Sequence, residues 1–264
     1  MENFFTADNG RIYYKDQGKG EIIVLLHGYL ETSEIWDSFA GKLAGKYRVV
    51  SIDLPGHGKS DVFGEIHSME FMASVIKELM AGSGDGNFFL AGHSLGGYVT
   101  MAFVDLFPQL LKGYCLFHSH PYADPEETLK KREHEISLVK SGRKDLFYPN
   151  SIRKMYASVN LEKYSENIRK TEVLAAGIPD KGITAILKGM MQRPSRVAVM
   201  EEGKVPLLWI LGALDNFINL QQVREGITLP LNARVAILYN SGHMGFIEEE
   251  SISLQLLEDF IKGK

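Results

Sequence analysis

Residues 88–97 read Phe88-Phe89-Leu90-Ala91-Gly92-His93-Ser94-Leu95-Gly96-Gly97, and a helix-period segment follows over 98–107. A short apolar run thus passes into a helix through a tight turn that carries a serine. On such a turn the hydroxyl is pushed into the open, and the small residues Gly92 and Gly96 let neighbouring backbone come close. The new helix also aims its first N–H groups and positive dipole end at the same spot, so the Leu95 N–H is a candidate donor to a developing oxyanion. The plainer alternative is a glycine-rich turn with a capping serine.

Outward from this turn, the chain alternates short apolar runs with helix-period segments. The runs cover 22–26, 47–52, 88–91, 113–117, 206–211 and 234–239; the helical patterns cover 35–43, 69–80, 95–107, 220–226 and 252–261. That alternation predicts an α/β fold with a mainly parallel sheet covered on both faces. Ahead of it, 4–6 and 11–15 flank Asp8-Asn9-Gly10 as an antiparallel hairpin. Between Pro121 and Lys204 the alternation stops, and only helical patches appear, notably 125–140 and 181–191. This stretch is read as an insertion.

The composition is that of a soluble globule: 264 residues, 45% hydrophobic and 23% charged, with a net charge of -4. Without a basic field, sequence-independent nucleic-acid binding is not expected, and a small molecule becomes the expected partner. The one cysteine, Cys115, excludes an intrachain disulfide and is read as a buried strand thiol. No run approaches the ~18 apolar residues of a membrane span, and the first residues lack the pattern of a signal peptide. The chain is expected to be cytoplasmic, with no membrane partner.

Serine needs a base to become nucleophilic, and the base needs an orienting acid. Asp215 follows the 206–211 run and His243 follows the 234–239 run, each at the carboxyl end of a strand, where open α/β sheets assemble their sites. Taken singly, Asp215 is equally a helix cap and His243 a loop histidine; together the order Ser94, Asp215, His243 matches a hydrolase triad. A second oxyanion donor is the Tyr29 N–H, because Gly28 permits an unusual turn after 22–26. His27 beside it is read as a buried hydrogen-bonding scaffold.

With these residues the chain resembles the α/β-hydrolase superfamily. The resemblance rests on His27-Gly28-Tyr29, Asp53-Leu54-Pro55-Gly56-His57-Gly58-Lys59-Ser60, Gly92-His93-Ser94-Leu95-Gly96-Gly97, Gly212-Ala213-Leu214-Asp215 and Ser241-Gly242-His243, in the family's order. It implies an eight-stranded, mainly parallel sheet with helices on both faces, a core formed by 1–120 and 205–264, and a helical cap (lid) over 121–204. It also implies Ser94 as nucleophile, His243 as base then acid, Asp215 as its partner, and the Tyr29 and Leu95 N–H groups as oxyanion hole. Haloalkane dehalogenases and epoxide hydrolases place aspartate at the nucleophile turn, so Ser94 sets those chemistries aside.

The expected function is a serine hydrolase of carboxylesterase type, cleaving a small ester or related acyl bond through an acyl-serine intermediate. It needs no cofactor and acts on a substrate with an apolar part. The alternatives are a ligand-sensing receptor on the same fold and a carbon–carbon bond hydrolase or lyase with the same triad. His118 and His120 are expected to line the pocket floor. Tyr156 and Met190 are further candidates for substrate contact, with cap-to-core packing as the plainer role of either. A metal at His118 and His120 would need a third ligand, His57 or Asp124, and none is expected. Gly56-His57-Gly58-Lys59-Ser60 ends like a phosphate-binding loop, but position 53 is Asp53 where that pattern needs glycine. The chain is expected to be a monomer or homodimer.

Overall fold

Three apolar runs, Ile22–Leu26, Phe88–His93 and Leu207–Gly212, are buried along their whole length, as strands must be when helices cover both faces of their sheet. They belong to a set of eight in a computed structural model that describes residues 3–7, 10–82, 86–221 and 225–263. In chain order these are β1 (Asn3–Ala7), β2 (Gly10–Gln17), β3 (Ile22–Leu26), β4 (Arg48–Ile52), β5 (Phe88–His93), β6 (Leu111–Phe117), β7 (Leu207–Gly212) and β8 (Ala233–Leu238). They form one sheet in the order β1-β2-β4-β3-β5-β6-β7-β8. The β1/β2 and β2/β4 pairs are antiparallel and all others parallel. Asp8 and Asn9 of the expected hairpin turn, and 222–224 of the helix expected over 220–226, lie outside the described residues.

The strand order locates the site. From β3 the chain moves outward to β4 and then reverses to β5 on the other side of β3. Where the winding reverses, the loops leaving β3 and β5 part to opposite faces and open a crevice at their carboxyl ends. Register levels those ends: Leu26 lies beside Gly92, Gly92 beside Leu116 and Phe117 beside Ile210. The segments beginning at His27, Ser94, His118 and Ala213 therefore emerge at one edge.

Covering helices are α1 (Asp37–Leu43), α2 (Met69–Gly82) and α3 (Leu95–Leu106). Along α2 the buried residues Met69, Met72, Ala73, Val75, Ile76, Leu79 and Met80 recur at helical spacing and make the stripe that meets the core. Between β6 and β7 come α4 (Glu126–Lys140), α5 (Tyr148–Met155), α6 (Ser165–Gly177), α7 (Asp180–Gln192) and α8 (Val197–Glu202). The chain closes with α9 (Gly245–Glu248) and α10 (Glu250–Ile261). The sequence pattern marks α4 and α7 but not α5, α6 or α8. In α6 only Ile168, Thr171 and Ala175 are buried, too narrow a stripe to register as a period.

The segment between β6 and β7 is fastened to the core at several points. Pro121 and Arg196, near its two ends, meet through an N–H···O bond of 2.7 Å, and the buried Arg196 guanidinium pairs with Glu70 on α2 and Asp105 on α3. Helix α7 lies directly on the loop after β4: the His67 N–H donates to the Ala185 carbonyl at 3.0 Å. A Cβ at Gly182 would stand 2.1 Å from the Gly56 carbonyl oxygen, so that contact admits only glycine.

Burial also suppresses protonation of several histidines. His67 and His118 are pushed down to about 4 and His120 to about 3, and His27 and His57 are lowered as well, in each case chiefly by burial. The unfolded chain would protonate these rings near their ordinary pKa of about 6.5. It therefore binds more protons than the folded chain as pH falls from there towards 4, and stability falls with it. Burial raises the carboxyls of Glu135 and Glu248, which act in the opposite sense, but two carboxyls are outweighed by five rings.

Two outcomes are expected. Urea unfolding should show the folded state weakening steadily from pH 7 to pH 5, and stability that is flat or rises across that interval would contradict the neutral buried histidines. Gly182→Ala should lower stability by about 1–3 kcal/mol by forcing α7 off the Gly56 backbone. Gly177→Ala, where a Cβ meets nothing within 4 Å, should be neutral or stabilising; thermal melts of the two variants separate the effects.

Candidate active site

The turn between β5 and α3 holds Ser94 at φ 50° and ψ -110°, a left-handed backbone uncommon for a residue with a Cβ. It persists because its neighbours over-determine it. The Ser94 N–H donates to the Phe117 carbonyl at 3.0 Å, and the Ser94 carbonyl accepts from the Gly97 N–H at 2.9 Å and the Ser119 hydroxyl at 2.8 Å. Gly96 is set by contact: its Cβ would lie 2.5 Å from the Leu26 carbonyl oxygen and 2.8 Å from that of His27. The first turn of α3, whose leading N–H groups have no intrahelical partner, therefore rests against the end of β3, where the Tyr29 loop begins.

In that loop Leu30 also adopts a positive φ of 65°, and the Gly28 N–H donates to Glu31 Oε2 at 2.6 Å. His27 is fully used: Nδ1 donates to the Gly28 carbonyl at 2.8 Å and Nε2 accepts from the Leu54 N–H at 2.9 Å. The loop after β4 is a structural turn around Asp53, whose carboxylate accepts the N–H groups of Ser33 at 2.7 Å and Lys59 at 2.8 Å.

Asp215 and His243 meet across the ends of β7 and β8. His243 Nδ1 lies 2.7 Å from Asp215 Oδ2, while Asp215 Oδ1 accepts the Phe217 and Ile218 N–H groups at 2.8 and 3.1 Å. Burial alone would raise the Asp215 carboxyl. His243, hydrogen-bonded to it, and the nearby ring of His118 outweigh it and hold the group well below the usual carboxylate range. With Nδ1 committed to Asp215, Nε2 is the nitrogen left for the cavity that His243 lines. The loop is clasped from the other side: the His243 N–H donates to the Met155 carbonyl at 2.6 Å, and Glu248 accepts from the N–H groups of Gly242 at 2.8 Å and Ala157 at 2.9 Å. The position of His243 is thus tied to the end of α5.

Ser94 and His243 line one cavity of about 310 Å³, together with Tyr29, Tyr98, His120, Met155 and Met190. Two of the expected substrate contacts, His120 and Met190, are therefore at the cavity. His118 is not: it is completely buried behind Asp215, its Nε2 accepts the Gly245 N–H at 3.1 Å, and its Nδ1 lies 3.5 Å from Asp215 Oδ2. The left-handed backbone of His118, with φ 46°, turns its ring inward rather than to the pocket floor. Tyr156 is likewise absent from the lining; 1% exposed, it stacks on Tyr164 with ring centres 6.1 Å apart, and its neighbour Met155 takes the place at the wall.

The sequence does not mark Glu31, a carboxylate with no exposure, and offers Asp124 only as a metal ligand; held instead by Arg132 at 2.6 Å and Arg193 at 2.8 Å, Asp124 lines the cavity together with Arg132. The partner of Glu31 at His93 and that of Asp124 at Arg193 come from distant positions, so no local pattern marks them. His118, Asp215 and His243 each offer a donor atom within 4.8 Å of the others, but the shortest distance among them, 2.7 Å, is that of a hydrogen bond.

Comparison with known proteins agrees with this architecture. A family model described as the alpha/beta hydrolase fold matches residues 21–134. The chain is 35% identical over 108 residues, 41% of its length, to an uncharacterized protein of Mycobacterium tuberculosis, and spans about a third (32%) of that relative. It is 25% identical over 254 residues to the pimeloyl-[acyl-carrier protein] methyl ester esterase of Pseudoalteromonas atlantica, covering 93% of this chain and 96% of the relative. The solved structure of a thermophilic esterase from Thermogutta terrifontis superposes with a TM-score of 0.92 at 22% identity, covering 100% of this chain and 98% of that one. With the family model matching residues 21–134 and the eight-stranded sheet shared with the solved esterase structure, the chain has the α/β-hydrolase fold.

Proposed function

We propose that the protein is a serine hydrolase that cleaves a small ester or related acyl bond. The observation that carries this reading is the 2.7 Å bond between His243 Nδ1 and Asp215 at the wall of the same cavity that Ser94 lines from a left-handed turn. His243 Nε2 takes the Ser94 proton as the hydroxyl attacks the carbonyl carbon, then gives it to the leaving alkoxide. The acyl group stays on Ser94 until a water, deprotonated by the same nitrogen, releases it as acid. Asp215 keeps the ring in the tautomer that presents a bare Nε2 and stabilises the imidazolium formed at each transfer. His118, which holds Asp215 from behind, assists in keeping that carboxylate ionised.

The N–H groups of Leu95 and Tyr29 serve as the oxyanion hole, and their loss would cost about 10²–10³ in rate. Segment 121–204 acts as the lid: it supplies Met155 and Met190 to the cavity and excludes water from the reacting bond. Met155, Met190, Phe217 and Ile218 suit an apolar part of the substrate, Asp124, Lys131, Arg132 and Glu135 in the same lining offer polar contacts to the rest of it, and the cavity of about 310 Å³ suits a small one. The likeness to named esterases supports the reaction class.

A fluorophosphonate probe should label the wild-type chain on Ser94 and leave Ser94→Ala unlabelled. Short p-nitrophenyl esters should be hydrolysed with a burst of p-nitrophenol, and neither labelling nor turnover would refute the proposal. Asp215→Asn should keep the fold but lower kcat by about 10⁴, because the ring would then favour the wrong tautomer; steady-state kinetics with the same esters measures it.

A further inference from the structure

Two ionisable residues that acyl transfer leaves without a role, Glu31 and His93, lie against each other with no exposure of either side chain. His93 Nδ1 stands 2.9 Å from Glu31 Oε2, His93 Nε2 stands 2.9 Å from the carbonyl oxygen of His243, and the Gly28 N–H donates to the same Glu31 oxygen at 2.6 Å. A carbonyl oxygen only accepts, so Nε2 must carry a hydrogen. The contact between Nδ1 and Oε2 then requires a second proton, since two facing lone pairs would repel. The pair therefore holds two protons, one on each side of the ring. A short bond from a backbone N–H favours negative charge on Oε2, which leaves the shared proton on the imidazole. Burial pushes the Glu31 carboxyl up, but His93 and the bond from Gly28 outweigh it and lower its pKa.

We infer that Glu31 and His93 form a buried carboxylate–imidazolium pair that positions the three loops of the active site against one another. Each of its bonds reaches a residue at or beside a proposed reacting group. Gly28 precedes the Tyr29 oxyanion donor, His93 precedes Ser94, and the carbonyl it holds belongs to His243. The pair also dictates residue 28, where a Cβ would stand 2.7 Å from His93 Nδ1 and 2.8 Å from Glu31 Oε2. Around it lie the rings of His243 at 4.9 Å and His118 at 6.3 Å, with His27 and the Tyr156 phenol also acting on it. None of these is a second carboxylate, and the pair itself is net neutral, which reduces the cost of burying its charges. An amide at position 31 could satisfy Gly28 or the ring but not both through one atom: its oxygen suits the Gly28 N–H, its NH₂ suits a neutral Nδ1.

The role as a positioning pair rests on the esterase reading; the charge state does not, and the experiment separates them. Histidine-labelled ¹⁵N spectra of the full wild-type chain should show both ring nitrogens of His93 protonated, a signature lost in Glu31→Gln. Folded Glu31→Gln should lose about 10²-fold in kcat on a short p-nitrophenyl ester through loop misplacement, with KM within roughly twofold, as for a group acting on the reacting geometry rather than on binding. A single N–H on His93 in the wild type overturns the pair, and an unchanged kcat in the folded variant overturns its positioning role. If Glu31→Gln does not fold, the wild-type spectrum decides. If the wild type neither labels with fluorophosphonate nor turns over the ester, the esterase reading falls while the spectrum still judges the pair.

Discussion

Everything at the carboxyl edge of the sheet depends on one close approach, that of the first turn of α3 to the end of β3. Any side chain at position 96 would drive a carbon into the Leu26 and His27 carbonyl oxygens. The contact brings the Tyr29 loop to the same cavity that Ser94 lines. It also sits at the point where the strand order reverses around β3, the one place in such a sheet where two neighbouring loops diverge enough to leave a crevice. Topology opens the space, and the absence of a side chain lets the backbone on either side close to the right width.

Buried carboxylates do the rest of the joining. Asp215 gathers two backbone N–H groups and the ring of His243; Glu248 gathers N–H groups from the His243 loop and from the segment after α5; Glu31 gathers Gly28 and His93. Each is an acceptor with two oxygens placed where several loops end in unpaired donors. A buried backbone donor left without a partner is costly, so these side chains substitute for the secondary structure that loops lack. A mechanical consequence follows for the segment 121–204. Because the His243 N–H and Gly242 N–H are bonded to the end of α5 and to Glu248, displacement of that segment would carry the imidazole with it.

Much of this was legible in the order of residues. The runs at 22–26, 88–91 and 206–211 became β3, β5 and β7 within a residue or two, because strands buried on both faces need unbroken apolar sequence. The helices of the 121–204 segment were only half legible: α7 carries an apolar stripe over 13 residues, whereas α5 is only eight residues long, too short for its stripe to stand out as a period, and α6 buries only Ile168, Thr171 and Ala175. Among the candidate contacts, His120 and Met190 reached the cavity but His118 and Tyr156 did not. Alternation along an extended segment assigns faces only while the backbone stays extended, and His118 leaves that region at φ 46°.

The sequence by itself determined the layering of the fold and the serine turn with its following aspartate and histidine, since these rest on local period, on glycine placement and on the ends of predicted strands. Only the tertiary structure decided which histidine stands behind Asp215, which side chains of the helical segment face the cavity, and that Glu31 is paired with His93. Those facts depend on distances between loops separated by tens to hundreds of residues. A residue pattern read along the chain records what each segment can form, but the partner of a buried charge is chosen by the packing that brings distant segments together.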